Sequence, residues 1–206
     1  EASVAIIPVH PGAARYFKDA ETPEDAIKSA RAVHLATGDP SFNCRCGEFA
    51  RSLGKIISFD PGQDLHMYSR SQLERAVGVC DILFGNHHEI DRICSKLSVD
   101  IHGLREMGPG VVVKTYGKEG SIIYSDDVIK IDAIPREAVD PTGAGDSYRA
   151  GFMRAYLRGA DLKTCGRFAS AVASFIVEDE GTQTNIPDTG EAVKRFTAQW
   201  GYEPPI

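Results

Sequence analysis

The sequence predicts an α/β fold in which a mostly parallel central sheet is flanked by helices. Short apolar runs with the length of buried strands alternate with longer segments of helical periodicity, which is the pattern of parallel βαβ units. Towards the C-terminus, three helical segments follow one another without a strand between them. In a sheet of this kind a ligand binds at the carboxyl ends of the strands.

The predicted strands are short apolar runs that stop at turn-forming residues. One of them ends at Gly85 and Asn86, and a pair near the middle of the chain predicts a hairpin around Asp126 and Asp127. The strands are predicted over residues 4–9, 32–36, 55–59, 81–84, 111–114, 121–124 and 128–131.

Helix boundaries are predicted from capping residues. Thr22 is expected to cap a helix that has Pro23 at its first position and acidic residues in its first turn. Ser71 opens a capping-box pattern for a later helix, and another helix is expected to end at Gly54. The remaining helices are predicted over residues 89–97, 143–158, 161–178 and 190–199.

The composition is typical of a globular protein in a reducing compartment. The 206 residues are 42% hydrophobic and 25% charged, which is ordinary for one large domain. A net charge of −6 argues against a nucleic-acid partner. No apolar run approaches the length of a membrane span, no signal peptide is visible, and the five cysteines are scattered. We therefore expect a cytoplasmic protein without a membrane partner.

A glycine-rich segment over residues 139–152 carries the clearest indication of function. Gly143 and Gly145 are expected to adopt positive φ, and the helix that follows directs N–H groups of residues Gly143, Ala144, Gly145 and Asp146 towards an anion such as phosphate. Asp146 would repel that anion, so we expect it to remove the proton of a hydroxyl that attacks the phosphoryl group. The alternative is an Asp-Pro turn and a helix-start acid favoured by the dipole alone.

The order Asp-x-Thr-Gly-Ala-Gly-Asp over residues 140–146 resembles the signature of the ribokinase-like (PfkB) family of carbohydrate and nucleoside kinases. The resemblance implies a ribokinase-like three-layer fold, ATP and Mg²⁺ as cofactors, and a small-molecule nucleoside or sugar as substrate. Residues 59–65 and 181–187 look most similar to bacterial adenosine kinases and archaeal nucleoside kinases. A nucleoside is therefore the first expectation.

Two segments that follow predicted strands extend this resemblance. Thr115, Gly117 and Gly120 match the family's Thr-x-Gly-x-x-Gly, which implies a place around ATP, whereas the alternative is a plain hairpin turn. Asn86 and Glu89 match its Asn-x-x-Glu, which implies that they hold Mg²⁺ through water beside the phosphates. A capping box at the start of a helix is the simpler interpretation, and both can hold together.

Four further residues are assigned less directly. Ser170 stands where many sugar kinases carry an Asn beside the adenine, although small residues there also permit close helix packing. Asp140 and Thr142 match two ligands of the monovalent cation, K⁺, that the family often binds behind the anion loop. Asp60 is expected either to cap a turn or to face the phosphates or the substrate.

Residues 1–206 are expected to form one ribokinase-like kinase domain that corresponds to the C-terminal two-thirds of the family's usual length. The family's N-terminal part and its lid, which often forms dimers, are expected to be missing, so a homodimer is compatible with the resemblance. Two alternative functions stay open. One is a sugar or sugar-phosphate kinase of the ribokinase or phosphofructokinase-B type, and the other is a non-catalytic, ligand-sensing module with this fold.

Overall fold

A computed structural model describes residues 12–206, apart from the side chains of residues 13–15. At its centre is a six-stranded sheet in which the spatial order of the strands follows their order in the chain. The strands are β1 (Ala32–Leu35), β2 (Ile56–Phe59), β3 (Ile82–Asn86), β4 (Val111–Thr115), β5 (Ser121–Tyr124) and β6 (Val128–Ile131). The strand predicted over residues 4–9 lies outside the described residues.

The first four strands are parallel, and the last two form an antiparallel hairpin that is joined to β4. The strands predicted between residues 32 and 131 are therefore confirmed. β3 is longer than predicted, because Gly85 and Asn86 do not end it but pair with Lys114 and Thr115 of β4. The extension carries the Asn86 side chain to the carboxyl edge of the sheet.

Helices cover both faces of the sheet in the described part of the chain. They are α1 (Glu24–Ser29), α2 (Pro40–Ser52), α3 (Arg70–Val79), α4 (His87–Leu97), α5 (Ile101–Glu106), α6 (Ala144–Leu157), α7 (Leu162–Ile176) and α8 (Thr189–Trp200). Short 3₁₀ helices cover Gly12–Asp19, Gly62–Met67 and Gly117–Glu119. Within residues 12–206, none of the helices combines the length and apolarity that a membrane span requires.

Two hydrophobic cores lie on opposite faces of the sheet, because alternate strand residues point to opposite sides. Phe59 and Leu83 belong to the core that α1 to α5 complete, whereas Phe84 and Val113 belong to the core that α6 to α8 complete. The fold therefore has three layers, as predicted.

The start of α3 differs from its prediction. The cap is Ser69 and not Ser71, and the Gln72 side chain accepts the main-chain N–H of Ser69 at 3.0 Å to close a capping box. The Gln72 side chain also donates to the Ser41 hydroxyl at 3.0 Å. Gln72 is therefore held both by the cap of α3 and by the N-terminus of α2.

The predicted start of α1 was wrong, and the start of α2 was not predicted. Thr22 does not cap α1: Pro23, expected at the first helical position, takes the cap position, and the main-chain carbonyl of Thr22 accepts the N–H of Glu24 at 2.8 Å. Only the end of α2 was predicted, although Asp39 caps it by accepting the N–H groups of Ser41 and Phe42, both at 2.9 Å. The Asp-Pro pair at its start is a recognisable helix signal.

Candidate active site

A cleft of about 400 Å³ lies at the carboxyl ends of the parallel strands, where this class of sheet binds ligands. Five predicted site residues line it, namely Asn86, Glu89, Thr115, Gly145 and Asp146. Side chains that were not assigned a role in the reaction complete the wall, among them Thr37, Gln63, Tyr148 and Arg149.

The glycine-rich loop leads directly into α6 at one side of this cleft. Gly143 is the residue before the helix and has a φ of 85°, as expected. A Cβ here would lie 3.0 Å from the carbonyl oxygen of Thr182, so packing as well as the dihedral angle requires glycine. The expectation for Gly145 was wrong, since it lacks a positive φ because α6 already begins at Ala144.

The main-chain N–H groups of the loop differ in their availability. The N–H of Ala144 donates to the carbonyl oxygen of Pro141 at 3.2 Å and is therefore partly engaged. Those of Gly143, Gly145 and Asp146 have no acceptor within the part of the chain that the structure describes. They belong to the first turn of a helix, whose positive dipole end favours an anion.

Asp140 connects the loop to the segment after α7. One carboxylate oxygen accepts the N–H of Thr142 at 2.9 Å, and the other accepts the N–H of Gly181 at 3.0 Å. A hydrogen bond from the Thr142 side chain, together with these main-chain N–H groups, lowers the pKa of Asp140. Asp140 therefore remains a carboxylate that joins the glycine-rich loop to the segment after α7.

Asp146 lies in the first turn of α6 with 77% of its side chain exposed to the cleft. Its carboxylate accepts a hydrogen bond from Arg149, one turn further along the helix. The other end of the Arg149 guanidinium donates to Asp60 at 2.5 Å. Asp60 is only 2% exposed, and its burial raises its pKa to about 6 although the charge of Arg149 opposes the shift.

Asn86 and Glu89 begin α4 at the opposite wall. Their side chains and main-chain N–H groups bond reciprocally, which confirms the predicted capping box. Among residues 12–206 no three His, Cys, Asp or Glu side chains are grouped to hold a metal ion. The oxygen donors of this pair suit Mg²⁺ that is bound largely through water and phosphate, since Mg²⁺ rarely occupies an all-protein cage.

The segment from Thr115 to Gly120 is the turn that joins the antiparallel strands β4 and β5, so the hairpin turn given as the alternative is present. The main-chain N–H of Tyr116 donates to the carbonyl oxygen of Gly120 at 2.8 Å and closes the turn. Thr115 reaches the cleft, whereas Gly117 and Gly120 are not among its lining residues.

Ser170 is not brought into the cleft. It is 6% exposed in α7, and its hydroxyl accepts the N–H of Ile134 and donates to the carbonyl oxygen of Asp132, both at 3.3 Å. The hydroxyl thus ties α7 to the segment after β6. Gly143, Ala144, Asp140 and Thr142 are likewise absent from the cleft lining, although the loop that they form borders it.

Sequence reasoning missed Arg149 entirely. Its partner Asp60 is 89 positions away, so no local pattern links the two residues. Asp60 itself was noticed as a strand-end turn residue, and its carboxylate does accept the N–H of Gly62 at 2.8 Å, which confirms the predicted turn. The ion pair becomes visible only once β2 and α6 lie together.

Comparison with known proteins identifies the family. The sequence matches the description "pfkB family carbohydrate kinase" over residues 4–189. It is 43% identical over 187 residues to a nucleoside kinase of Methanocaldococcus jannaschii, a match that covers 90% of this chain and 60% of that relative. The chain thus spans less than two-thirds of the length of that relative.

Solved structures agree with this relationship. The fold is similar to the crystal structure of the Methanocaldococcus jannaschii nucleoside kinase, described as an archaeal member of the ribokinase family, with a TM-score of 0.86, 41% identity, and coverage of 92% of this chain and 62% of that one. It is also similar to a Burkholderia thailandensis nucleoside kinase in complex with ADP-inosine, with a TM-score of 0.82, 26% identity, and coverage of 86% and 57%. The chain therefore belongs to the pfkB family of carbohydrate kinases.

Proposed function

We propose that the full-length protein transfers the γ-phosphoryl group of ATP to a hydroxyl of a nucleoside, with Asp146 as the general base. The observation that carries the proposal is an exposed carboxylate, that of Asp146, in the same helix turn as main-chain N–H groups without an acceptor in the described residues. A carboxylate at an anion site is explained if it accepts a proton from the attacking hydroxyl.

In this proposal the loop binds the transferring phosphoryl group. The N–H groups of Gly143, Gly145 and Asp146, which have no acceptor in the described residues, would stabilise the charge that develops in the transition state. Ala144 contributes less than the sequence suggests, since its N–H already has an acceptor in Pro141. Such preorganised donors act strongly because they need no reorientation during the reaction.

The opposite wall would hold the cofactors. Asn86 and Glu89 would orient a hydrated Mg²⁺, which supplies neutralisation of phosphate charge when bound, and Thr115 would contact the nucleotide. Gly117 and Gly120 would allow the turn behind Thr115 to lie close to ATP. Ser170 would act only indirectly, by fixing the segment after β6.

A monovalent cation is a separate part of the proposal. Asp140 and Thr142 would supply ligands for K⁺ behind the anion loop, and the support for this is that the two residues lie together, since Asp140 accepts the N–H of Thr142 at 2.9 Å. Activity in K⁺, Na⁺ and choline salts of equal ionic strength tests it.

Light scattering of the purified protein tests whether it is a homodimer.

The substrate class is proposed from the relatives, since two of the similar proteins named above are nucleoside kinases. A sugar or sugar phosphate is the second candidate, because the family description that matches the chain is that of carbohydrate kinases. Initial rates of ADP formation with Mg²⁺-ATP against inosine, adenosine, cytidine, ribose and fructose 6-phosphate separate the two. Turnover with nucleosides supports the proposal, and turnover with sugars alone replaces the substrate but keeps the mechanism.

The general base needs its own test. Asp146→Asn retains the shape of the side chain and removes the proton acceptor, so kcat should fall by roughly 10²- to 10⁴-fold. Binding of ATP to a variant with no turnover is the control that the fold is intact. Undiminished turnover of Asp146→Asn, or ATP binding by the native protein without turnover on any acceptor, would contradict the proposed function.

A further inference from the structure

Arg149 connects a buried carboxylate to the exposed carboxylate that we propose as the base. Its guanidinium donates through Nη1 to Oδ2 of Asp60 and through Nη2 to Oδ1 of Asp146. The exposed fraction of the side chain rises from 2% for Asp60 to 22% for Arg149 and 77% for Asp146. The three side chains therefore form a connected series from the interior to the cleft.

Asp60, at the buried end of this series, is fixed by the main chain. Asp60 follows β2, and its Oδ1 accepts the N–H of Gly62 at 2.8 Å while Oδ2 accepts Arg149. Both carboxylate oxygens are thus engaged, and the residue is surrounded by protein. Because the guanidinium is a rigid planar fork, holding one of its nitrogen atoms also restricts the position of the other.

The outer end depends on Arg149 alone. Within the described residues the side chain of Asp146 has no hydrogen bond or ion pair other than the one from Arg149. Arg149 engages Oδ1, which leaves Oδ2 of Asp146 without a partner in the described residues, and Asp146 lines the cleft. An exposed aspartate without this contact would sample several rotamers, and proton transfer requires one of them within hydrogen-bond reach of the attacking hydroxyl.

We propose that Arg149 is a positioning residue of the phosphoryl-transfer reaction, which holds the carboxylate of Asp146 for proton transfer and is itself anchored by Asp60. This inference rests on the proposed function and adds to it the residue that orients the base. A displacement of about 1 Å at a reacting group lowers rates by up to about 10²-fold, so the orientation of Asp146 has a measurable consequence.

The test must separate positioning from folding, since Arg149 also balances a buried charge. Arg149→Lys keeps a cation for Asp60, but its single ammonium lacks the fork that spans both carboxylates. We expect kcat of the full-length protein to fall about 10- to 100-fold, with KM for ATP changed less than about twofold. The melting temperature of each variant shows whether it remains folded.

A double-mutant cycle decides whether Arg149 acts through Asp146. If it does, Arg149→Lys should change kcat by less than about twofold when introduced into Asp146→Asn, because the base that it orients is already lost. Asp60→Asn, which leaves an amide oxygen for Arg149, is a second test of the same idea. It should lower kcat in protein that retains Asp146 but not in Asp146→Asn. Equal losses with and without Asp146, or an effect on KM alone, would overturn the inference. The proposed function fails separately, through an unchanged kcat of Asp146→Asn.

Discussion

The side chains of Asn86 and Glu89 bond to each other's main chain at the start of α4. Oδ1 of Asn86 accepts the N–H of Glu89 at 3.0 Å, and Oε2 of Glu89 accepts the N–H of Asn86 at 2.8 Å. The same two residues line the cleft. One oxygen of each is therefore committed to the helix start. Within residues 12–206 the Nδ2 of Asn86 and the Oε1 of Glu89 have no other partner, so the first can donate to a phosphate and the second can accept from water bound to Mg²⁺.

Glu89→Gln should separate these two roles. A glutamine oxygen can still accept the N–H of Asn86, so the free energy of unfolding should change by less than about 0.5 kcal/mol. The loss of charge should raise the Mg²⁺ concentration needed for half-maximal activity several-fold. Glu89→Ala is the matched control, which loses the cap as well and should be destabilised by about 1 kcal/mol. An unchanged Mg²⁺ requirement in Glu89→Gln would exclude the proposed role.

Gly145→Ala should leave the protein folded but impair catalysis. The nearest atom to a Cβ at this position is Nη1 of Arg149 at 3.5 Å, an ordinary contact, and alanine favours a helix by about 0.5–1 kcal/mol over glycine. We therefore expect an equal or higher melting temperature. The methyl group would enter the cleft beside the free N–H groups, so kcat should fall at least about tenfold. Native activity in this variant would argue against the anion site.

Gly143→Ala is the comparison for that experiment. Here a positive φ and a Cβ only 3.0 Å from the carbonyl oxygen of Thr182 should both disfavour the folded state. The free energy of unfolding, measured with urea, should decrease by about 1–3 kcal/mol. A variant as stable as the native protein would show that the loop can rearrange.

Gly120 and Gly117 belong to the same turn but should tolerate alanine differently. A Cβ on Gly120 would lie 2.0 Å from the carbonyl oxygen of Ile131, whereas one on Gly117 meets nothing within 4 Å. Because both have positive φ, Gly117→Ala should cost about 1 kcal/mol for its dihedral angle, and Gly120→Ala several times more. Urea unfolding of the two variants checks the order, and equal losses would contradict it.

Asp60 should give the stability a specific dependence on pH. Its pKa is about 6 in the folded protein against an ordinary value of 3.8, because burial and the charge of Glu89 outweigh Arg149 and the N–H of Gly62. The stabilisation that accompanies the protonated form is fully present below about pH 4 and is lost as pH rises through about 6. The difference in unfolding free energy between native protein and Asp60→Asn should therefore decrease by about 3 kcal/mol between about pH 3 and pH 7. A constant difference would contradict the raised pKa.

The sequence predicted the elements correctly where only one local pattern matched. The parallel strands were predicted because each is a short apolar run bounded by turn residues, and the hairpin because two such runs flank Asp126 and Asp127. At α3 two overlapping patterns, from Ser69 and from Ser71, both match a capping box. Ser69 is the cap in the structure, and its partner Gln72 also donates to Ser41 of α2, a contact that the local sequence does not indicate.

Other elements were missed because their signal is weak or distant. α5 has six residues, a glycine within it and one fully buried side chain, Leu104, so its apolar periodicity is too short to detect. In the site, Asp146 and the capping pair follow from local chemistry. The ion pair of Arg149 with Asp60 depends on packing across the sheet, which no neighbouring residue indicates.

The sequential strand order also has a consequence for biosynthesis. The core that contains Phe84 and Val113 is completed only by α6, α7 and α8, which all follow the sheet in the chain. A nascent chain emerges from the ribosome N-terminus first, so this face of the sheet stays open to solvent until α6, α7 and α8 have been translated. Because Asp146 lies in α6 while Asp60, Asn86 and Thr115 precede it, the cleft is assembled at the same late step. Chains released early would expose an apolar sheet face and lack the start of α6, which makes them targets for chaperones.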